Sequence, residues 1–105
     1  MLELCSVHTI PEGETRGFNI QGQPLFVVRK DLQCYVYRNA CPHQGVQLNW
    51  MEHQFLDQEN HFIQCSTHGA LFEPETGLCV QGPCQGASLE PIESEQQNGK
   101  LYVYM

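Results

Sequence analysis

Four residues of this sequence have the types and the spacing of metal ligands. Cys41 stands two residues before His43, and Cys65 stands three residues before His68. Twenty-one residues separate His43 from Cys65, so the two pairs can belong to different hairpins that face each other. Thiolate sulfur and imidazole nitrogen are ligands of zinc and iron in proteins. The sequence therefore predicts one metal site made of Cys41, His43, Cys65 and His68.

Two kinds of metal centre accept two cysteines and two histidines. Zinc binds such a set tetrahedrally, but its usual spacing groups the cysteines together and the histidines together. Here each half of the set is mixed, as expected for a Rieske [2Fe-2S] centre, where two histidines replace two cysteines on one iron. The spacing favours the iron–sulfur cluster, with zinc as the alternative.

Two peptide segments resemble the cluster-binding boxes of the Rieske family. They are Cys41-Pro-His-Gln-Gly45 and Cys65-Ser-Thr-His-Gly69, and Gly82-Pro83 is similar to the family's third, proline-containing loop. The resemblance covers nearly the whole chain. It implies one [2Fe-2S] cluster, held in an all-β Rieske fold of small stacked antiparallel sheets with two cluster-binding loops at one tip.

The same resemblance implies the role of each ligand and of the protein. Cys41 and Cys65 are expected to bind the inner iron, and His43 and His68 the outer iron, where the electron would reside. The chain is similar to the ferredoxin component of ring-hydroxylating oxygenase systems. We therefore expect a one-electron carrier, not an enzyme, that takes electrons from a flavoprotein reductase and delivers them to an oxygenase or another redox enzyme.

Two other functions stay open at this point. The chain could be a small Rieske subunit of a nitrite-reductase-like complex, or an iron- or redox-sensing binding module. No catalytic residues are expected, because the sequence has no Ser-His-Asp order, no phosphate-binding glycine loop and no carboxylate pair. A small-molecule substrate pocket is not expected either.

The sequence departs from the high-potential branch of the family at four positions. That branch has a further cysteine at each box, and the two form a disulfide; here Val46 and Thr67 stand in the corresponding places. It also has serine and tyrosine donors to the cluster sulfurs, where this chain has Ala70 and Phe72. Hydrogen bonds to sulfur stabilise the more negative, reduced cluster, so their loss lowers the potential. These positions indicate the low-potential, ferredoxin-like branch.

The pattern along the chain is one of short strands and turns. With 105 residues, it predicts a single domain over residues 1–105. No window has the apolar period of a long helix. Runs rich in β-branched and aromatic residues predict strands at residues 2–7, 16–20, 25–30, 33–38, 61–64, 78–81, 89–94 and 101–104. Tight turns are expected at Asp31-Leu32 and Asn98-Gly99.

The charge and the N-terminal residues indicate where the protein acts. Twelve Asp and Glu against five Lys and Arg give a net charge of -7, which opposes binding to nucleic acid or an anionic membrane. It favours a basic partner surface, or simply a solvated one. There is no basic, apolar signal peptide and no apolar run of membrane-spanning length. We expect a soluble, cytoplasmic protein.

The remaining cysteines and aromatic or imidazole side chains receive plainer interpretations. Cys5 and Cys34 are expected to be small core residues. Packing is also the first expectation for Cys79 and Cys84, with a disulfide, a reactive thiol or an alternative cluster ligand as alternatives. A shielding core role is expected for Trp50, with a docking face as the alternative, and the stretch 50–60 is expected to protrude as a hairpin or loop. We expect three histidines to be polar surface groups: His8, His53 and His61.

Overall fold

The structure is a computed structural model that describes residues 1–42, 45–49, 51–66 and 69–105. Within these ranges the chain forms nine strands and one short 3-10 helix, Val7–Thr9. The strands are β1 (Leu2–Ser6), β2 (Thr15–Ile20), β3 (Gln23–Lys30), β4 (Gln33–Arg38), β5 (Ile63–Gln64), β6 (Leu71–Phe72), β7 (Cys79–Gln81), β8 (Ser94–Gln97) and β9 (Lys100–Val103). No helix in the described residues is long and apolar enough to cross a membrane.

The strands form three antiparallel sheets of three strands each. The terminal sheet has the order β1-β9-β8, the central sheet β2-β3-β4 and the small sheet β5-β6-β7. All the pairings within these sheets are antiparallel. The prediction of an all-β fold of small antiparallel sheets is therefore confirmed.

The central sheet is covered on both faces, which explains the unbroken apolar run in β3. Phe26 and Val28 enter one buried cluster, while Leu25 and Val27 enter another. Successive side chains of a strand point to opposite faces of the sheet. Phe26 and Val28 therefore lie on one face of the central sheet, and Leu25 and Val27 lie on the other. The first cluster, called here the cysteine core, also contains residues of the small sheet. The second contains residues of the terminal sheet.

Two-residue turns join the strands within the central and terminal sheets. In the β3–β4 turn, Asp31 and Leu32 have positive φ angles of 54° and 65°, as a type I′ hairpin requires. Leu32 adopts this conformation although it has a Cβ, and the Glu12 carboxylate accepts hydrogen bonds from both turn amides, at 2.6 and 2.9 Å. The Asn98-Gly99 turn has the same signs of φ. Both predicted turns are confirmed.

Two strand predictions differ from the structure. The predicted strand 89–94 contributes only Ser94 to β8. Before it, the chain makes a single bridge to β4, because Pro91 has no N–H to continue the ladder. In the other direction, the two-residue strand β6 lies in a stretch that the pattern assigned to a loop.

The stretch 50–60 does not protrude as a whole. Phe55 is 1% exposed and its ring stacks on Phe26 at a centroid distance of 4.3 Å. Beyond it, the chain turns back, with the Asp57 amide donating to the Phe62 carbonyl at 2.9 Å. Of the described residues in this stretch, 51, 52, 54 and 58–60 are exposed. Trp50 lies outside the described residues.

Candidate metal centre

The first cysteine loop begins directly after the central sheet. Cys41 follows the end of β4 and is fully buried. Its amide donates to the Val46 carbonyl at 2.7 Å, and its carbonyl accepts from the Gly45 amide, also at 2.7 Å. Gly45 has a φ of 72°, which residues other than glycine rarely adopt. The glycine four residues after the cysteine is thus required by the turn itself.

The second cysteine loop repeats the first in its hydrogen bonds. Cys65 follows β5 and is also fully buried. Its amide donates to the Ala70 carbonyl at 2.9 Å, and its carbonyl accepts from Gly69 at 2.7 Å, where φ is 71°. In both loops, therefore, the main chain of the cysteine is hydrogen-bonded to the fourth and fifth residues after it. One turn geometry presents the two thiols from two different sheets.

A direct hydrogen bond joins the two loops. The Ser66 amide donates to the Leu48 carbonyl at 2.7 Å. On its other side, the Leu48 amide donates to Oδ1 of Asn39 at 2.8 Å, and Nδ2 of Asn39 donates to Oδ1 of Asn49 at 2.9 Å. Asn39, 5% exposed, is the one buried polar side chain in the described part of the chain. It positions the first loop for its contact with the second.

Asn39 is a functional position that the sequence interpretation missed. Its place two residues before Cys41 was the only available signal, because an asparagine at the end of a strand usually belongs to a turn. The structure shows instead a buried amide that satisfies Leu48 and Asn49 together.

The surroundings of the two thiols suit soft metal ligation. Cys41 and Cys65 share the cysteine core with Ala70 and Phe72, all fully buried. Neither Ala70 nor Phe72 carries a side-chain donor, as the sequence indicated. Two buried thiols, held by the backbone in matching turns and free of any disulfide, fit a site that binds metal through thiolate sulfur. The other two predicted ligands, His43 and His68, lie outside the described residues, as does Thr67.

A third loop adds two more thiols to the cysteine core. Cys79 lies in β7, and Cys84 follows Gly82-Pro83; they are 2% and 9% exposed. Their sulfur atoms are 3.2 Å apart, longer than the roughly 2.05 Å of a disulfide. Burial, followed by the neighbouring Cys79 and Cys41, raises the pKa of Cys84 to about 12. Both residues are packed thiols, in agreement with the first expectation for them.

The other cysteines and histidines have structural or surface positions. Cys5 and Cys34 are half-buried against the second core. His8 and His61 are exposed, as predicted. His53 is only partly exposed, and its Nδ1 accepts a hydrogen bond from the Gly17 amide at 3.1 Å. Its carbonyl also accepts from Oγ1 of Thr15 at 2.7 Å, so His53 fastens its segment to β2.

Sequence comparison identifies the domain. The profile of the family described as "Rieske [2Fe-2S] domain" matches residues 1–102. The chain is 31% identical over 103 residues to ferredoxin CarAc of Metapseudomonas resinovorans, covering 97% of this chain and 91% of that one. It is also 30% identical over 81 residues to cholesterol 7-desaturase of Caenorhabditis elegans, but spans only 18% of that protein's length.

Solved structures are similar over the same extent. A complex of reduced oxygenase and oxidised ferredoxin in carbazole 1,9a-dioxygenase contains a chain that is 29% identical, with a TM-score of 0.78, covering 97% of this chain and 90% of that one. The ferredoxin of carbazole 1,9a-dioxygenase from Nocardioides aromaticivorans IC177 has a TM-score of 0.76 at 20% identity, covering 98% and 97%. The second likeness shows the fold alone.

These matches confirm the predictions of family, fold and cofactor, and they favour iron over zinc. Similarity to a ferredoxin over nearly its full length also agrees with an electron carrier rather than an enzyme. The chain belongs to the Rieske [2Fe-2S] domain family, and one [2Fe-2S] cluster is its cofactor.

Proposed function

We propose that this protein is a Rieske-type ferredoxin that carries single electrons from a flavoprotein reductase to an oxygenase. The observation that carries this proposal is the pair of fully buried cysteines, Cys41 and Cys65, presented by two matching loops. The match to 91% of the length of a ferredoxin supports it. So does the matched solved complex, in which a ferredoxin is bound to its oxygenase.

In this proposal four side chains hold the cluster: Cys41, His43, Cys65 and His68. By the resemblance to the family, the two cysteines would bind one iron and the two histidines the other. When bound, the cluster supplies reversible one-electron chemistry. The cysteine core excludes water from the two thiolates, and the Ser66–Leu48 hydrogen bond keeps the two loops in contact. Residues 1–102 match one Rieske domain, so we propose that 1–105 act as a single unit.

The net charge supports the choice of partners and place. A charge of -7 favours association with basic docking surfaces on a reductase and an oxygenase. None of the six cysteines forms a disulfide, as expected in a reducing compartment, so we propose a cytoplasmic location. If the association is electrostatic, added salt slows the electron transfer without changing the cluster content.

Metal analysis combined with ligand variants tests the proposal. The purified protein is expected to contain iron and acid-labile sulfide in equal amounts, and Cys41→Ser and Cys65→Ser are each expected to lose most of both. His43→Ala and His68→Ala are expected to do the same. Cys5→Ser is the matched control, because Cys5 packs against the second core. This variant is expected to keep the cluster. Zinc without iron, or an unchanged cluster in the Cys41 variant, would overturn the assignment.

Electron transfer is then measured directly. The protein is mixed with an NADH-fed flavoprotein ferredoxin reductase, and cytochrome c serves as the acceptor. We expect cytochrome c reduction to depend on the loaded protein and to fall as salt rises. A protein that holds its cluster but passes no electrons to cytochrome c or to a Rieske oxygenase would favour the sensor function. Purification in a stable complex with a larger reductase would favour the subunit function.

A further inference from the structure

Cys79 and Cys84 lie side by side in the cysteine core. The Cys84 thiol donates a hydrogen bond to the Cys79 sulfur at 3.2 Å, and the Cys79 thiol donates to the Gln81 carbonyl at 3.3 Å. In a disulfide the two sulfur atoms are about 2.05 Å apart. The sulfurs of this pair would therefore have to approach each other by only about 1.1 Å to form a covalent bond.

Main-chain contacts hold the two cysteines in these positions. The Cys79 amide donates to the Ala87 carbonyl at 2.8 Å, and the Ala87 amide donates to the Cys84 carbonyl at 2.9 Å. Between the two cysteines, a Cβ on Gly82 would lie only 2.8 Å from the Cα of Ala70. The loop therefore has no room to move toward the second cysteine loop. Formation of a sulfur–sulfur bond is thus expected to move the two side chains and to leave the backbone in place.

Cys84 is the most exposed of the cysteines in this core. Its exposed fraction is 9%, compared with 2% for Cys79, while Cys41 and Cys65 are fully buried. A small oxidant that enters the core therefore reaches Cys84 before the two ligand cysteines, and the Cys79 sulfur lies next to it. This order of exposure assigns the first reaction with an oxidant to Cys84 and the second to Cys79.

The short spacing of the pair predicts that a disulfide between them would be easily reduced. The two cysteines are five residues apart in the chain. A disulfide stabilises a protein mainly by restricting the unfolded chain, and this effect is smaller for short loops. A disulfide that gains little from the fold is open to reduction by glutathione. The pair is therefore expected to be a dithiol in a reducing compartment and a disulfide only under oxidising conditions.

We propose that Cys79 and Cys84 form a reversible disulfide site that exchanges with glutathione disulfide. The Cys84 thiolate attacks one sulfur of glutathione disulfide, which forms a mixed disulfide and releases one glutathione. The Cys79 thiolate then attacks the Cys84 sulfur, which forms the bond between the two cysteines and releases the second glutathione. The protein loses two electrons and two protons, and the two glutathione molecules gain them. Neither Cys41 nor Cys65 takes part, so the inference does not rest on the proposed function.

Equilibration in glutathione buffers tests the site in the purified wild type. The ratio of glutathione disulfide to glutathione is varied, the remaining thiols are alkylated, and the peptide that contains both cysteines is weighed by mass spectrometry. We expect a dithiol in excess glutathione and the loss of two hydrogens in excess glutathione disulfide, with the iron content unchanged. Burial raises the pKa of Cys84, so little thiolate is present and the exchange is slow. Equilibrium is therefore approached from both the reduced and the oxidised protein.

Three variants test the order of the two reactions. Cys79→Ser lacks the second thiol and is expected to accumulate a glutathione adduct on Cys84. Cys84→Ser is expected to accumulate much less adduct, because Cys79 is less exposed. Cys5→Ser is the matched control and should form the disulfide as the wild type does, since Cys5 packs against the second core. Equal adduct formation in the two serine variants at 79 and 84 would overturn the assigned order.

The wild-type measurement decides the inference even if a serine variant fails to fold, which circular dichroism shows. A dithiol that persists in excess glutathione disulfide, a disulfide between other cysteines, or one that glutathione does not reduce would overturn it. Iron and labile sulfide, measured in the same samples, report separately on the proposed function. A wild type that forms this disulfide but holds no cluster defeats only the proposed function, and a loaded wild type that never forms it defeats only the disulfide site.

Discussion

The amide of Ser66 and the carbonyl of Leu48, 2.7 Å apart, join the two cysteine loops. Ser66 directly follows one buried cysteine, and Leu48 closes the loop that begins with the other. Leu48 is in turn fixed by the Asn39 side chain. The separation of the two loops is therefore set by one buried amide side chain and one main-chain hydrogen bond.

Replacement of Asn39 tests this arrangement. Asn39→Ala leaves the buried Leu48 amide without its acceptor, which costs about 1–3 kcal/mol for an unsatisfied buried group. We expect that loss in the free energy of unfolding, together with a lower cluster content. Urea unfolding and iron analysis measure the two effects. Gln47→Ala, at an exposed position of the same loop, is the control. Unchanged stability in Asn39→Ala would show that Leu48 finds another partner.

Gly17 is expected to tolerate no side chain. Unlike the other glycines it has no positive φ, but a Cβ there would lie 2.6 Å from the Glu52 carbonyl oxygen and 3.2 Å from the Phe55 ring. Gly17→Ala should push the segment that contains Glu52 and Phe55 away from β2. We expect it to lower the free energy of unfolding by about 1–3 kcal/mol, as overpacking does at other sites. Asn19→Ala, exposed on the same strand, is the comparison. Equal stability of the two variants would argue against close packing here.

The wild-type reduction potential is expected near the lower end of the roughly −150 to +300 mV Rieske span. Ala70 and Phe72 are buried beside the two cysteines and offer no side-chain donor. The net charge of -7 also opposes addition of an electron. Redox titration followed by visible spectra measures the value. A midpoint well above about 0 mV would contradict the low-potential assignment.

Ala70→Ser is expected to raise that potential and to lower stability. The new hydroxyl would add a donor beside the cysteine sulfurs, while its oxygen enters a fully buried place next to Gly82. Overpacking of this kind costs about 1–3 kcal/mol. Redox titration and urea unfolding separate the two effects, with exposed Ala87→Ser as the control. A variant that is less stable but unchanged in potential would place the hydroxyl away from the cluster.

The ion pair between Lys30 and Glu75 predicts a specific pH dependence. Nζ and Oε1 are 2.6 Å apart, and the hydrogen bond from Lys30 lowers the pKa of Glu75 below its ordinary value of 4.5. A lowered carboxyl pKa stabilises the fold above pH 4.5 and loses this contribution as the pH falls through the folded-state value. Because both side chains are more than a third exposed, the gain is small, about 0.2–1 kcal/mol.

Glu75→Gln should therefore be less stable than the wild type at pH 7, and the difference should shrink below pH 4.5. Urea unfolding at several pH values, followed by circular dichroism, measures it. Glu73→Gln changes a neighbouring carboxylate outside this ion pair and is the control. A difference that persists unchanged at low pH would assign the effect to the amide itself.

Much of the fold could be predicted because its strands carry local signals. β3 and β4 carry continuous apolar and aromatic runs on either side of Asp31-Leu32, and that turn occurs where the pattern placed it. Residues 89–94 were misassigned because Pro91 removes a ladder donor, an effect that β-rich composition hides. β6 was missed because two residues are too few to show a period, and only its pairing with β5 and β7 defines it.

Part of the candidate site could likewise be predicted from the sequence, and part could not. The cysteine–histidine boxes could be identified from spacing, since ligand types and turn glycines are local features. Asn39 and His53 could not, because their side chains bond to groups that only the fold brings near: Leu48 and Asn49 for Asn39, and Gly17 for His53. The contact of Cys84 with Cys79, at 3.2 Å between the sulfur atoms, could not be predicted either, because it depends on the course of the loop that joins them.

The matching cysteine loops bear on how the holoprotein is assembled. Amide–carbonyl bonds at Cys41 and Cys65 are made by the main chain, and both residues belong to a core of aromatic and aliphatic side chains. Their conformations are therefore fixed by the polypeptide, whereas in small zinc fingers metal binding itself drives folding. Little chain entropy is left to lose when iron enters. We therefore expect that iron can be loaded, and removed by a chelator, without unfolding the three sheets.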